Sequence, residues 1–400
     1  MLSRRRLLQS SAALIALGAA PARAANAPGV TDIEIKFGQS IPYSGPASAY
    51  AVLGRAEAAY FKMINDAGGV NGRKLNFISV DDAYSPPKTL EQTRRLVEEE
   101  HVAFLFGNVG TPSNLTIRPY LNENHVPQLF PAVGASVFID PEHFPWTMPI
   151  LPNYRNEGRI YARHILATKP DAKIGVLFQN DGFGKDYVGG LKDVLGAEHA
   201  AMILKEVSYE LSDPTVDSQI VTLQGAGVDT VLLAALSKAA SQAIRKIGEL
   251  GWSPTRYLVG VSASVTGTLK PAGFENAKGV ISGAILKDPN DPSWRDDAAL
   301  KDFDAFIAKF MSPSDRNDLV AVSGYCYASV LVQVLKQCGD DLSRENIMRQ
   351  AANLKNFAAP MLLPGVVVDT APDNFLPIRQ ARLERFNGER WELFGEVVNG

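Results

Sequence analysis

The densest group of candidate ligand-binding residues is Gly107-Asn108-Val109-Gly110-Thr111-Pro112-Ser113. An apolar run ends there and a helical pattern begins. Free backbone N–H groups and the positive end of a helix dipole therefore point outward, an arrangement suited to a carboxylate. Thr111 and Ser113 add hydroxyls and Asn108 an amide, although simple helix capping also accounts for Thr111. A second turn, Asp181-Gly182-Phe183-Gly184, likewise follows an apolar run and opens a helix. It lacks the G-x-G-x-x-G spacing of a dinucleotide loop, and Phe183 would project into the pyrophosphate space. It reads instead as a ligand-contacting turn at the carboxyl end of a strand.

Signs of catalysis are missing. The five histidines, His101, His125, His143, His164 and His199, stand at no metal-ligand spacing to one another or to a cysteine. Neither a Walker A loop nor a nucleophile elbow occurs. The expectation is therefore no catalytic residue, no metal and no cofactor.

The turns need a scaffold, and the hydrophobic pattern supplies one. Strand candidates Ile33–Ser40, Leu75–Val80, Val102–Val109 and Val126–Val133 alternate with helical patterns at Ala47–Asp66, Pro87–Glu100 and 111–124. The alternation restarts after Trp146–Pro152, with strands at Lys173–Gln179, Met202–Tyr209, Thr230–Leu236, Tyr257–Val261 and Val280–Leu286. The intervening helices are expected at 153–168, 184–196, 215–225 and 238–250. Apolar strands separated by amphipathic helices are what a parallel sheet covered on both faces requires. Two successive units of this kind predict two doubly wound α/β lobes. Helices follow at 297–311, 318–338 and 343–355. Gln380–Phe386, Asn387-Gly388 and Glu389–Phe394 then predict a hairpin with a type I′ turn. Cys326 and Cys338, the two cysteines, fall in one helical pattern. Twelve residues apart on a continuous helix, they are separated by about 18 Å and cannot pair.

The chain of 400 residues is long enough for two domains and has an ordinary composition, 46% hydrophobic and 21% charged. No uninterrupted apolar run reaches the ~18–20 residues of a spanning helix. The start is different in kind. Ser3-Arg4-Arg5-Arg6-Leu7-Leu8, an apolar run from Ala12 to Ala20, and small-x-small sites ending at Ala24 and Ala27 make a secretory signal, with paired arginines of twin-arginine type. No cysteine follows the cleavage region, so a lipid anchor is not expected. Removing residues 1–24 leaves 36 cations against 43 anions. That acidic mature chain argues against nucleic acid as a partner.

Several segments together resemble the branched-chain amino-acid (Leu/Ile/Val) binding proteins, the type I periplasmic solute receptors of ABC transporters. They are Ser44-Gly45-Pro46, Ile64-Asn65-Asp66-Ala67-Gly68-Gly69-Val70-Asn71-Gly72, Val80-Asp81-Asp82-Ala83, Gly107 to Asn114, and Asp181-x-Phe183-Gly184. The resemblance runs from about residue 31 to the final hairpin. It implies two lobes joined by three crossing segments near 147–152, 280–287 and 361–366, with a ligand clamped between them. On that plan 1–27 is the signal peptide, 28–149 and 286–362 form lobe 1, and 150–285 and 363–400 form lobe 2. The protein would be a periplasmic monomer that hands its ligand to permease subunits in the cytoplasmic membrane.

The resemblance also implies a site. The ligand carboxylate would meet Gly110-Thr111 and a second loop, Val133-Gly134-Ala135. Tyr50 and Phe183 would flank its side chain, and Leu236 and Ser262 would line the pocket. Tyr84 reads equally as pocket wall or as a core or surface residue, and stands with Gly110 where amino-acid binders often carry a disulfide. Two positions depart from the amino-acid binders. Ser262 stands where they place an acid for the ligand ammonium, and Gly134 replaces an expected Ser or Thr. A desolvated ammonium without a counter-charge is costly. The expectation is a carboxylate without an α-ammonium, held among Tyr50, Tyr84, Phe183 and Leu236 as an aromatic or bulky hydrophobic acid. The alternatives are an amino-acid or amide receptor that recruits Asp82 or Asp181, and an exported enzyme.

Overall fold

The computed structural model describes residues 27–400, so the signal segment lies outside it apart from Ala27. Ala27 is buried, and its N–H donates to the Leu342 carbonyl at 3.1 Å.

Two sheets carry the chain. The first holds β1 (Glu34–Ile41), β2 (Lys74–Asp81), β3 (Leu105–Phe106), β4 (Gln128–Leu129) and β5 (Thr147–Met148) in the order β2-β1-β3-β4-β5, all parallel. The second holds β6 (Ile174–Gln179), β7 (Ile203–Tyr209), β8 (Thr230–Ala234), β9 (Thr255–Leu258), β10 (Ile281–Ala284), β11 (Gln380–Phe386) and β12 (Trp391–Asn399). Its order is β12-β11-β10-β9-β8-β6-β7, parallel from β6 to β10 and antiparallel through the closing hairpin. Every residue of β8 is buried, as a central strand covered by helices on both faces requires.

Two apolar runs are less regular than their composition predicts. Val102–Val109 and Val126–Val133 contribute strands of only two residues each, β3 and β4, with one isolated parallel bridge beyond them between Val109 and Ala132. Gly107 (φ 69) and Phe130 (φ 53) turn left-handed just past the pairing, which ends the extended backbone. The segments that leave the sheet there form the loops around the cleft.

The C-terminal part completes both lobes. The helix Leu319–Cys338 packs along Ala51–Asp66 in the first lobe; a Cβ at Gly324 would lie 2.7 Å from the Leu53 carbonyl oxygen, so the two backbones nearly touch. By length and hydropathy this helix could span a bilayer, a match that a search for unbroken apolar runs passes over. Burial on nearly all sides makes it a core helix instead. Both cysteines lie on it, buried and unpaired, and burial pushes the Cys338 thiol up to about 12. The hairpin turn also differs from expectation. Phe386 faces Trp391 across a four-residue loop, and of Asn387 and Gly388 only Gly388 has positive φ, so the type I′ turn does not form. The Asn387 side chain instead accepts from the N–H groups of Glu389 and Arg390.

Three segments run between the lobes. β5 leads through 149–153 into the helix Tyr154–Thr168, and β10 leads through 285–287 toward the helix Ala298–Phe310. The latter segment pairs antiparallel with the third, through Leu286 with Leu362 and the N–H of Lys287 on the Met361 carbonyl. Val368 then pairs with Phe357, and the Thr370 N–H donates to the Leu354 carbonyl. Residues 368–377 therefore stay beside the first lobe, and the chain rejoins the second sheet at β11, later than the expected boundary at 363.

Candidate functional site

The carboxyl ends of both sheets face a cavity of about 140 Å³ between the lobes. That matches the ~150 Å³ of an apolar cavity that takes up one benzene molecule.

The turn after β3 builds one wall of this cavity. Gly110 has φ 99, and a Cβ there would meet the Tyr84 ring at 2.4 Å, so only glycine lets the ring pass beneath this turn. Tyr84, itself left-handed at φ 58, is 5% exposed and lines the cavity. It is therefore pocket wall and core at once. Thr111 opens the helix Thr111–Glu123 and is 2% exposed. Its Oγ1 has no hydrogen-bond partner among the described residues. A buried, unpaired hydroxyl costs about 1–3 kcal/mol, which a ligand acceptor would recover.

The aromatic walls come from both lobes. Tyr50 ends a short 3-10 turn before the helix Ala51–Asp66, and its hydroxyl lies 3.3 Å from Ser237 Oγ and 3.2 Å from Ser262 Oγ, both in the second lobe. Asp181 caps the helix Gly182–Leu195 by accepting from the Phe183 and Gly184 N–H groups, which orients Phe183 into the cavity. Phe183 meets Tyr154 edge-on at 5.1 Å, and Tyr154 stacks on Tyr187 at 5.3 Å. Leu236 lines the second-lobe side, fixed by its N–H donating to Tyr209 Oη at 3.0 Å.

The expected site residues thus divide. Tyr50, Tyr84, Gly110, Thr111, Phe183 and Leu236 line the cavity. Asn108, Gly134, Ala135 and Ser262 do not. Asn108 turns inward, and its Nδ2 donates to Ser40 Oγ. The Gly134 carbonyl accepts from the Tyr154 N–H and Asn153 Nδ2, and a Cβ there would lie 2.1 Å from the Pro152 carbonyl oxygen. The first crossing segment thus occupies the space of a side chain at 134. Ala135 is buried beside it. Ser262 donates to the Ala235 carbonyl at 2.7 Å and steadies Tyr50. Asp82 and Asp181 are spent on local hydrogen bonds: Asp82 accepts from the Tyr84 N–H and Thr89 Oγ1, and Asp181 from its own helix and Gln179.

Two cavity-lining carboxyls, Glu157 and Glu384, had no signal in a motif. Glu157 sits one turn into the helix Tyr154–Thr168 and Glu384 in the middle of β11, positions that read as an ordinary amphipathic face and strand. Glu157 accepts from Tyr161 Oη, Tyr187 Oη and the Gly260 N–H. Burial nevertheless raises its carboxyl above the usual range.

Two α/β lobes, three connecting segments and a small cavity between the lobes where the sheets' carboxyl ends meet define a solute-binding protein. The chain belongs to the periplasmic binding protein family, whose model matches residues 34–389. Its fold is the type I fold of that family, and the protein is a binding protein rather than an enzyme. Leu/Ile/Val-binding protein homolog 1 of Brucella abortus (strain 2308) is 26% identical over 319 residues, covering 78% of this chain and 81% of the relative. A branched-chain amino-acid ABC transporter protein from Thermus thermophilus, solved with bound valine, superposes with a TM-score of 0.83 at 17% identity, over 93% of this chain and 98% of that one. An ABC transporter solute-binding protein from R. palustris, solved in complex with benzoate, gives 0.78 at 20% identity, over 92% and 98%. Members of the family bind small-molecule solutes in the periplasm.

Proposed function

We propose that this protein is the periplasmic receptor of an ABC importer for a small organic acid with an aromatic or bulky hydrophobic body. The observation that carries this reading is Thr111: a buried hydroxyl without a partner, at a helix N-terminus, on the wall of a cavity of about 140 Å³. The ligand carboxylate accepts from Thr111 Oγ1 and the free N–H groups of the first helical turn, where the dipole favours negative charge. Tyr50, Tyr84, Tyr154 and Phe183 enclose the body of the ligand. The lobes close over it, and the closed form docks on permease subunits. Export precedes this, with cleavage near Ala24 or Ala27, and the mature protein acts as a monomer.

The benzoate complex of the R. palustris protein supports an aromatic acid, while the names of the curated relatives and the two cavity-lining carboxyls favour a branched-chain amino acid. A thermal-shift panel decides between them. A ligand at about 100 times its Kd adds about 2.7 kcal/mol of stability. Benzoate, phenylacetate and cinnamate should raise the midpoint and leucine, isoleucine and valine should not. A shift with leucine and none with the aromatic acids would reverse the assignment.

A further inference from the structure

Glu384 is the one cavity-lining carboxyl that the protein leaves unsatisfied. It is 3% exposed and lines the same cavity as Thr111. Among the described residues its side chain makes no hydrogen bond, whereas Glu157 accepts three and Asp288 accepts from Asn290 and Trp391. Its charged neighbours, Asp288 and Glu157, are both acids. The adjacent Lys287 is engaged with Asp297, and Arg316, whose Nη1 donates to the Pro289 carbonyl, is engaged with Asp304. Burying a carboxyl among carboxyls with no donor facing it is unfavourable. On the wall of that cavity Thr111 offers a hydrogen-bond donor and Glu384 an unused acceptor among acids, and Arg379 is the one cation among the lining residues.

We infer that Glu384 is a specificity-determining ligand contact, and that the acid bound here carries a second polar group, a hydroxyl or an amine, which donates a hydrogen bond to the Glu384 carboxyl. The inference rests on the organic-acid reading above and adds to it the chemistry of the ligand's far end. No acid is needed at position 262 for this role, because β11 brings one in from the last hairpin.

The test is calorimetric titration of the full mature chain with benzoate, its 3- and 4-hydroxy and 3- and 4-amino derivatives, and 3- and 4-(aminomethyl)benzoate. At least one donor-bearing acid should bind about tenfold or more tightly than benzoate, because an unpaired buried group penalises the ligand that lacks its partner. Glu384→Leu should abolish that preference, so that the donor-bearing acids and benzoate bind it alike. Glu384→Gln, which preserves shape and hydrogen bonding, keeps the test valid if the Leu variant does not fold. It should retain preference for a hydroxyl and lose preference for an ammonium. Equal binding of benzoate and all derivatives, or a preference that survives both substitutions, overturns the role of Glu384 while leaving the organic-acid reading in place. Failure of every acid to bind overturns both.

Discussion

At the scale of single residues, Thr111 and Glu57 each bury a polar atom that has no partner among the described residues, with different consequences. Thr111 Oγ1 is buried without a partner, so Thr111→Val removes a cost from the free protein and a donor from the complex. The free variant should unfold at the same temperature or slightly higher. Carboxylate affinity should fall roughly ten- to hundredfold, the equivalent of about 1.5–3 kcal/mol for a hydrogen bond to a charged group. Glu57 is a second case with a different meaning. It is fully buried in the first lobe, accepts from Gln39 Nε2 at 2.5 Å, and leaves Oε1 without a partner among the described residues. Burial holds its carboxyl well above the usual range. The folded state therefore favours the protonated form. That stability is present in full below the unfolded carboxylate pKa and is lost as pH rises through the folded value. Glu57→Gln should unfold at a higher temperature than wild type at neutral pH and converge with it near pH 4, which melting curves across pH would show.

At the scale of elements, turns made by glycine and capping residues set the site. Gly134→Ala would put a Cβ 2.1 Å from the Pro152 carbonyl oxygen and push the first crossing away from the loop 130–135. Overpacking of this kind costs about 1–3 kcal/mol. Thermal unfolding should record the loss, and affinity should fall with it because Tyr154 starts from that crossing. Much of this architecture was legible. Apolar strands alternating with amphipathic helices identified both sheets, turns at strand ends located Thr111 and Phe183 at the cavity, and the family resemblance located Leu236 there. The rest depended on backbone geometry that residue type does not reveal. Left-handed Gly107 and Phe130 cut two apolar runs to two-residue strands, and Ser262 turned to the Ala235 carbonyl. Glu157 and Glu384 were hidden because nothing local marks them. Only the packing of a helix and the last hairpin around one cavity brings them to it.

At the scale of the molecule, the lobes are joined across their mouth by hydrogen bonds as well as by three segments. Asp186 Oδ2 accepts from the Ser136 N–H at 2.5 Å, Ser264 Oγ donates to Asp318, and Tyr50 meets Ser237. These contacts exist only when the lobes are together, so they bias the equilibrium toward closure. Asp186→Ala should enlarge the radius of gyration of the ligand-free protein in small-angle scattering. It should also weaken binding about tenfold through the smaller closed population. Unchanged scattering and affinity would assign closure to the other contacts.

The proposed function turns on Thr111 selecting an anion in the cavity. Calorimetric titration with benzoate and benzamide, which share a ring and differ in charge, tests it most directly. Benzoate should bind and benzamide should bind far more weakly, with the difference largely erased in Thr111→Val. Equal affinity for both, or a difference untouched by that substitution, would show that Thr111 does not select the charge of the ligand.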